Sequence, residues 1–136
     1  MNKKQISSIL YWVVLASILS YLAYSKGWIF TNFETISPNQ AYSLLQKDEN
    51  VTLLDVRTPE EYAQEHIQGA TLIPVQILNT NLPQLQNVKN KKIIVYCHSG
   101  NRSVEASRIL AKNGFVPLNI KGGISQWKSD GFNVVH

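Results

Sequence analysis

The chain of 136 residues contains one cysteine, Cys97. A single thiol excludes an internal disulfide and any zinc site built from several thiolates. Charge is also sparse: Asp, Glu, Lys and Arg together make up 16% of the residues, with a net charge of +4. Lys3, Lys4 and Lys26 supply much of that excess and flank the first apolar segment, so the remainder is close to neutral. Its one basic cluster is Lys89, Lys91 and Lys92. A nucleic-acid interface needs a clustered basic face, so that class of partner is set aside. Internal repeats and low-complexity stretches are lacking too. The length fits one domain with an appendage.

What is present begins with a long apolar run. Ile6 to Tyr24 carries no charge. As a helix it would be about 28 Å long at ~1.5 Å per residue, close to the hydrocarbon thickness of a bilayer. Tyr11, Trp12, Tyr21, Tyr24 and Trp28 gather toward its two ends, where interfacial aromatics sit. The expectation is a single-pass membrane anchor over residues 1–25 and a tether over 26–35, leaving 36–136 as the folded domain. A cleaved signal peptide is the competing reading, with Ala23-Tyr24-Ser25 as a small-x-small site. Two lysines precede the run and one follows it. The positive-inside rule then favours the N-terminus in the cytoplasm and the domain outside, with a bacterial inner membrane as the expected location.

The rest of the chain alternates between two patterns. Ser37-Pro38-Asn39-Gln40 and Thr58-Pro59-Glu60-Glu61 both read as capping boxes, with proline at the first helical position. Val51–Val56, the run ATLIPV, Lys92–Tyr96 and Val116–Ile120 read as strands. Val75–Asn87 is ambiguous, with a helix around Val75–Leu78 and a turn at Leu82-Pro83. Asn101–Asn113 has helical periodicity and ends at Gly114. Gly122-Gly123 breaks the chain before a short final helix. Strands alternating with helices predict an α/β fold: a mainly parallel central sheet flanked by helices, preceded by one transmembrane helix.

In such folds ligands gather at the carboxyl ends of the strands. The stretch YCHSGNRS puts Cys97 there, between a strand and a helix. Free N–H groups in the loop and first turn form an anion cradle. The same field favours negative charge on the sulfur. Gly100 can adopt the positive φ that such a loop needs. Arg102 adds a permanent charge with a fork of donors for an oxyanion. The competing reading is a structural cysteine that ends a buried strand.

LLDVRTPEEYAQEHIQGATLIPV, IIVYCHSGNRS and KGGISQW, in that order and spacing, resemble the landmarks of a rhodanese (sulfurtransferase) domain. The resemblance spans Ile36 to Phe132. It implies that Cys97 accepts a sulfane sulfur as a persulfide, surrounded by the backbone amides of His98 to Arg102. It makes Arg102 the arginine that closes the loop, and His98, Ser99, Gly100, Asn101 and Ser103 the residues facing substrate. Asp55 and Arg57 match the family's DVR signature and support the loop from the neighbouring strand end. Trp127 matches a packing aromatic. Glu65 departs from the pattern, which has glycine before His66.

The implied reaction is thiosulfate sulfurtransferase-like, from a small sulfur donor to cyanide, a thiol or a protein cysteine, without metal or other cofactor. Two alternatives remain: a membrane-tethered sulfur carrier or binding module with little turnover, and a phosphatase or arsenate reductase. Tyrosine-phosphatase loops place one residue more between cysteine and arginine than the four found here. A shorter loop suits one sulfur atom better than a phosphoryl group.

Overall fold

The computed structural model describes residues 1–48 and 50–136. The chain divides into two compact units, Met1–Thr31 and Asn32–His136.

The first unit is built on helix α1 (Lys3–Ser25). Asn2 caps it: its side chain accepts the Gln5 amide and the Gln5 side chain accepts the Asn2 amide, each at 3.0 Å. No residue of α1 is buried. Ser7, Ser17 and Ser25 donate their hydroxyls back to the carbonyls of Lys4, Val13 and Leu22. Such bonds remove much of the cost of a hydroxyl in an apolar medium. By length and composition, α1 could cross a membrane.

The second unit contains β1 (Glu34–Ile36), α2 (Pro38–Lys47), β2 (Thr52–Asp55), α3 (Pro59–Gln64), β3 (Thr71–Leu72) and α4 (Val75–Asn81). A 3₁₀ helix (Leu82–Val88), β4 (Lys92–Tyr96), α5 (Asn101–Lys112), β5 (Val116–Ile120) and α6 (Gly123–Ser129) complete it. The five strands form one parallel sheet in the order β1-β5-β4-β2-β3. This is the expected mainly parallel sheet with flanking helices. Both capping boxes form: Ser37 starts α2 and Thr58 starts α3.

Alternation along the strands divides the core between the two faces of the sheet. Ile93, Val95 and Leu54 pack with Leu78, Ala106 and Leu110 from α4 and α5. Ile94, Tyr96, Leu53 and Leu118 pack with Ala41, Ile124 and Trp127 from α2 and α6.

Three details differ from the sequence reading. The edge strand β1 was not expected; at three residues it is too short to show a period. The ATLIPV run pairs as a strand only at Thr71–Leu72. Its backbone still follows β2, with the amides of Ile73 and Val75 bonded to the carbonyls of Asp55 and Val56. In the ambiguous region α4 runs to Asn81, and a 3₁₀ helix stands where a turn was expected at Leu82-Pro83.

Candidate active site

Cys97 directly follows β4, the middle strand of the sheet, with β2 and β5 on either side. The chain then turns through His98 and Ser99 to Gly100, whose φ of 111° lies in the region open to glycine. That turn aims the Gly100 amide back at the cysteine, and it donates to Cys97 Sγ at 3.1 Å. On its other side the thiol lies 3.4 Å from Ser103 Oγ, to which it donates. As a thiolate the sulfur would instead accept from that hydroxyl. Cys97 is 1% exposed and Ser103 is fully buried, whereas His98, Ser99 and Asn101 are exposed.

The glycine pair fixes this loop from behind. The amides of Ile124 and Ser125, at the start of α6, donate to the carbonyls of Cys97 and His98 at 2.9 and 3.1 Å. A Cβ at Gly123 would lie 2.4 Å from the Cys97 carbonyl oxygen and 2.5 Å from that of His98. Only glycine permits this approach. The sequence marks Gly122-Gly123 as a break before a helix and as part of the KGGISQW landmark, but not as a brace for the cysteine loop. The pairing with Cys97 could not be read locally, because the partners lie far apart in the chain.

Asp55 and Arg57 meet at the end of β2, next to the strand that carries Cys97. Asp55 Oδ1 accepts the Arg57 amide and Nε, both at 3.0 Å, and Oδ2 accepts Arg57 Nη2 at 2.6 Å. The same Nη2 donates to the Glu65 carbonyl at 2.7 Å, which ties the end of α3 to this corner. The guanidinium stands 5.5 Å from the centre of the Tyr96 ring. Burial opposes the charge on Arg57, but its bonds and attraction to Asp55 outweigh burial and raise its pKa. Burial, reinforced by Asp55, pushes the Tyr96 phenol far above its usual range. The Tyr96 hydroxyl accepts the Ile67 amide at 3.0 Å. The residue before Cys97 is thus held at both ends.

Arg102 lies in the first turn of α5, at the edge of the loop. The sequence reading aimed its fork at an oxyanion. The structure pairs its two terminal nitrogens with Glu61, Nη1 to Oε2 at 2.7 Å and Nη2 to Oε1 at 2.8 Å. The Arg102 bond is the main force holding the Glu61 carboxyl at about 2, with the Thr58 amide assisting against partial burial. From the sequence, Glu61 is only the third residue of a capping box. That role is real, since Oε2 also accepts the Thr58 amide at 3.0 Å. Its link to Arg102 leaves no local signal.

The remaining candidates are structural. Glu65, the departure from the pattern, bonds to Lys128 of α6. His66 stacks on Tyr62 with ring centres 3.8 Å apart, and its Nδ1 meets the Tyr62 carbonyl. Trp127 is buried beside Phe132 and donates to the Asn133 carbonyl. Among the described residues, no group of three or more His, Cys, Asp or Glu is placed to hold a metal ion.

A parallel sheet with a cysteine loop at the end of its middle strand defines an α/β protein with a candidate nucleophile at its strand ends, and comparison with known proteins gives its family. A family model for the rhodanese-like domain matches residues 37–130. A sulfurtransferase from Allochromatium vinosum is 35% identical over 92 residues, covering 67% of this chain and 84% of that one. The thiosulfate sulfurtransferase PspE of Escherichia coli is 38% identical over 71 residues, covering 52% of this chain and 68% of that one. The crystal structure of a rhodanese-related protein from Thermoplasma volcanium matches with a TM-score of 0.69 at 31% identity, covering 76% of this chain and 98% of that one. The chain belongs to the rhodanese-like family.

Proposed function

We propose that the protein is a sulfurtransferase that carries sulfane sulfur on Cys97 as a persulfide. The observation that supports this most directly is the Gly100 amide on Cys97 Sγ, in a loop pinned from behind by α6. A main-chain donor beside the start of a helix stabilises an anionic sulfur without reorganising during the reaction. A persulfide extends that anion by one atom.

In the first half-reaction the Cys97 thiolate attacks the outer sulfur of a donor such as thiosulfate. The bond from that sulfur to the sulfonate breaks, its electron pair leaves with sulfite, and Cys97 keeps the outer sulfur as a persulfide anion. In the second, cyanide, a small thiolate or a protein cysteine attacks the terminal sulfur, and the electron pair of the S–S bond returns to Cys97. The Ser103 hydroxyl donates to the sulfur in its anionic states. The exposed His98, Ser99 and Asn101, with Gly100, face the donor, and Arg102 closes the rim with its charge paired to Glu61. Asp55 and Arg57 support the loop through Tyr96. No metal or other cofactor enters the scheme. The name of the Escherichia coli relative supports thiosulfate as a donor.

In this scheme residues 1–25 are a membrane anchor and 26–31 a tether; the sequence expectation runs the tether to 35, but Glu34 and Thr35 pair with β5 and belong to the catalytic domain. The scheme puts the domain on the extracytoplasmic side of a bacterial inner membrane. Its support is the length and composition of α1, with Lys3 and Lys4 in its first turn and Lys26 just after it. The near-complete burial of Cys97 favours a second reading, a tethered carrier that turns over slowly and passes sulfur to a protein thiol.

The test is mass spectrometry of the full chain after incubation with thiosulfate, without reductant. Wild type is expected to gain one sulfur atom and lose it to cyanide as thiocyanate. Cys97→Ser is expected to gain none while unfolding at the wild-type temperature. No gain by wild type, or collapse of the serine variant, would overturn the reading. A sulfur that resists cyanide but passes to a protein thiol identifies the carrier.

A further inference from the structure

Glu61 contributes a fixed anion at the rim of the cysteine loop. Three donors hold its carboxylate: the two terminal nitrogens of Arg102 and the Thr58 amide. The Glu61 and Arg102 side chains are 29% and 31% exposed, so the pair faces solvent beside the loop. Arg102 is the permanent cation of the loop itself, and Glu61 neutralises it. An anionic donor therefore meets a guanidinium whose terminal nitrogens are occupied and a carboxylate that repels it. Repulsion between charges scales with their product, so its effect on the logarithm of affinity is about twice as large for a dianion as for a monoanion.

We propose that Glu61 is a specificity-determining residue, acting through Arg102: by cancelling the loop's cation it weakens loading from dianions such as thiosulfate more than from singly charged donors such as an organic persulfide or thiosulfonate. This rests on the Cys97 sulfurtransferase reading and refines its donor class; thiosulfate still loads, at a higher concentration.

The test compares two donors that present the same outer sulfur, thiosulfate and methanethiosulfonate. Cys97 attack releases sulfite from the first and methanesulfinate from the second, each taking the electron pair of the broken S–S bond. Single-turnover loading of the full chain in detergent micelles is followed against donor concentration for wild type and Glu61→Gln. Glutamine at this position preserves the capping box, so the variant removes charge and leaves the helix start in place.

The half-saturating concentration of thiosulfate is expected to fall about tenfold in Glu61→Gln and that of methanethiosulfonate about threefold, one charge unit fewer giving half the logarithmic gain. The gain lies in half-saturation and not in the limiting rate. Glu61→Asp, which keeps the charge, is expected to retain the wild-type donor ratio. Adding Arg102→Gln to Glu61→Gln is expected to abolish the gain. High salt should narrow the gap between wild type and Glu61→Gln, and more for thiosulfate than for methanethiosulfonate. Equal changes for both donors, a change confined to the limiting rate, or a gap insensitive to salt would overturn the proposal. If wild type loads from neither donor, the Cys97 reading itself fails, and this one with it.

Discussion

The molecule contains two carboxylate–guanidinium pairs around its cysteine loop, and they differ in almost everything but chemistry. Asp55 and Arg57 are two residues apart, with side chains 0% and 3% exposed. Glu61 and Arg102 are 41 residues apart and about one-third exposed. The first pair is local geometry at a strand end, sealed by packing and tied to the Glu65 carbonyl. The second is tertiary, joining α3 to α5 in contact with water. A buried pair must stay paired, because an orphaned charge in the interior is costly. A rim pair can exchange partners with solvent, salt or substrate at little cost. The behind-the-loop region is therefore scaffold, and the rim is where selectivity can be adjusted.

The sharpest way to break this contrast is Arg57→Met. It leaves the Asp55 carboxylate buried without its guanidinium and is expected to cost about 3–5 kcal/mol of stability, read from the denaturant midpoint at constant slope. Adding Asp55→Asn removes the orphaned charge and should recover about half of the loss or more. A single-variant cost of about 1 kcal/mol or less would make the buried pair no different from a surface one.

Next in size is Gly123→Ala, which probes the scaffold through backbone contact rather than charge. The φ of 61° at Gly123 costs a side chain about 1 kcal/mol. The contact of the new Cβ with the Cys97 carbonyl adds about 1–3 kcal/mol and should also slow sulfur loading, because the loop must shift. Gly131→Ala is the control: its φ is 88° but nothing lies within 4 Å of its Cβ, so it should bear the backbone cost alone. Equal losses in the two variants would show that α6 does not brace the loop.

Much of this architecture was legible in the sequence, for reasons that particular residues make clear. The strand Lys92–Tyr96 was read to the residue, because a continuous apolar run bounded by lysines and a glycine loop has few other solutions. The capping boxes at Ser37 and Thr58 were legible because a cap is chemistry within four residues. Cys97 stood out by being alone at a strand–helix junction. What escaped was contact between distant parts. The Ile124 and Ser125 amides bind carbonyls of a loop more than twenty residues earlier, and Arg102 pairs with a glutamate on another helix. The strand β1 escaped because three edge residues show no period. In each case the decisive information was a pairing made only when the sheet assembled.

The smallest expected effect concerns the rim pair and acid. Arg102 holds the Glu61 carboxyl at about 2 in the folded protein, whereas an unfolded glutamate titrates near 4.3. A carboxyl whose folded pKa is depressed binds protons more readily when unfolded, so its contribution is present at neutral pH. It is lost as pH falls from about 4.3 toward about 2. The pair is partly exposed, which limits its worth to about 1 kcal/mol. Wild type should therefore be more stable than Glu61→Gln by about that amount at pH 7, with the difference fading through this acid window and vanishing below it. Paired denaturation curves across the window measure it. A difference that persists below pH 2 would mean that Glu61 acts through packing rather than its charge, and the contrast between rim and interior would then rest on burial alone.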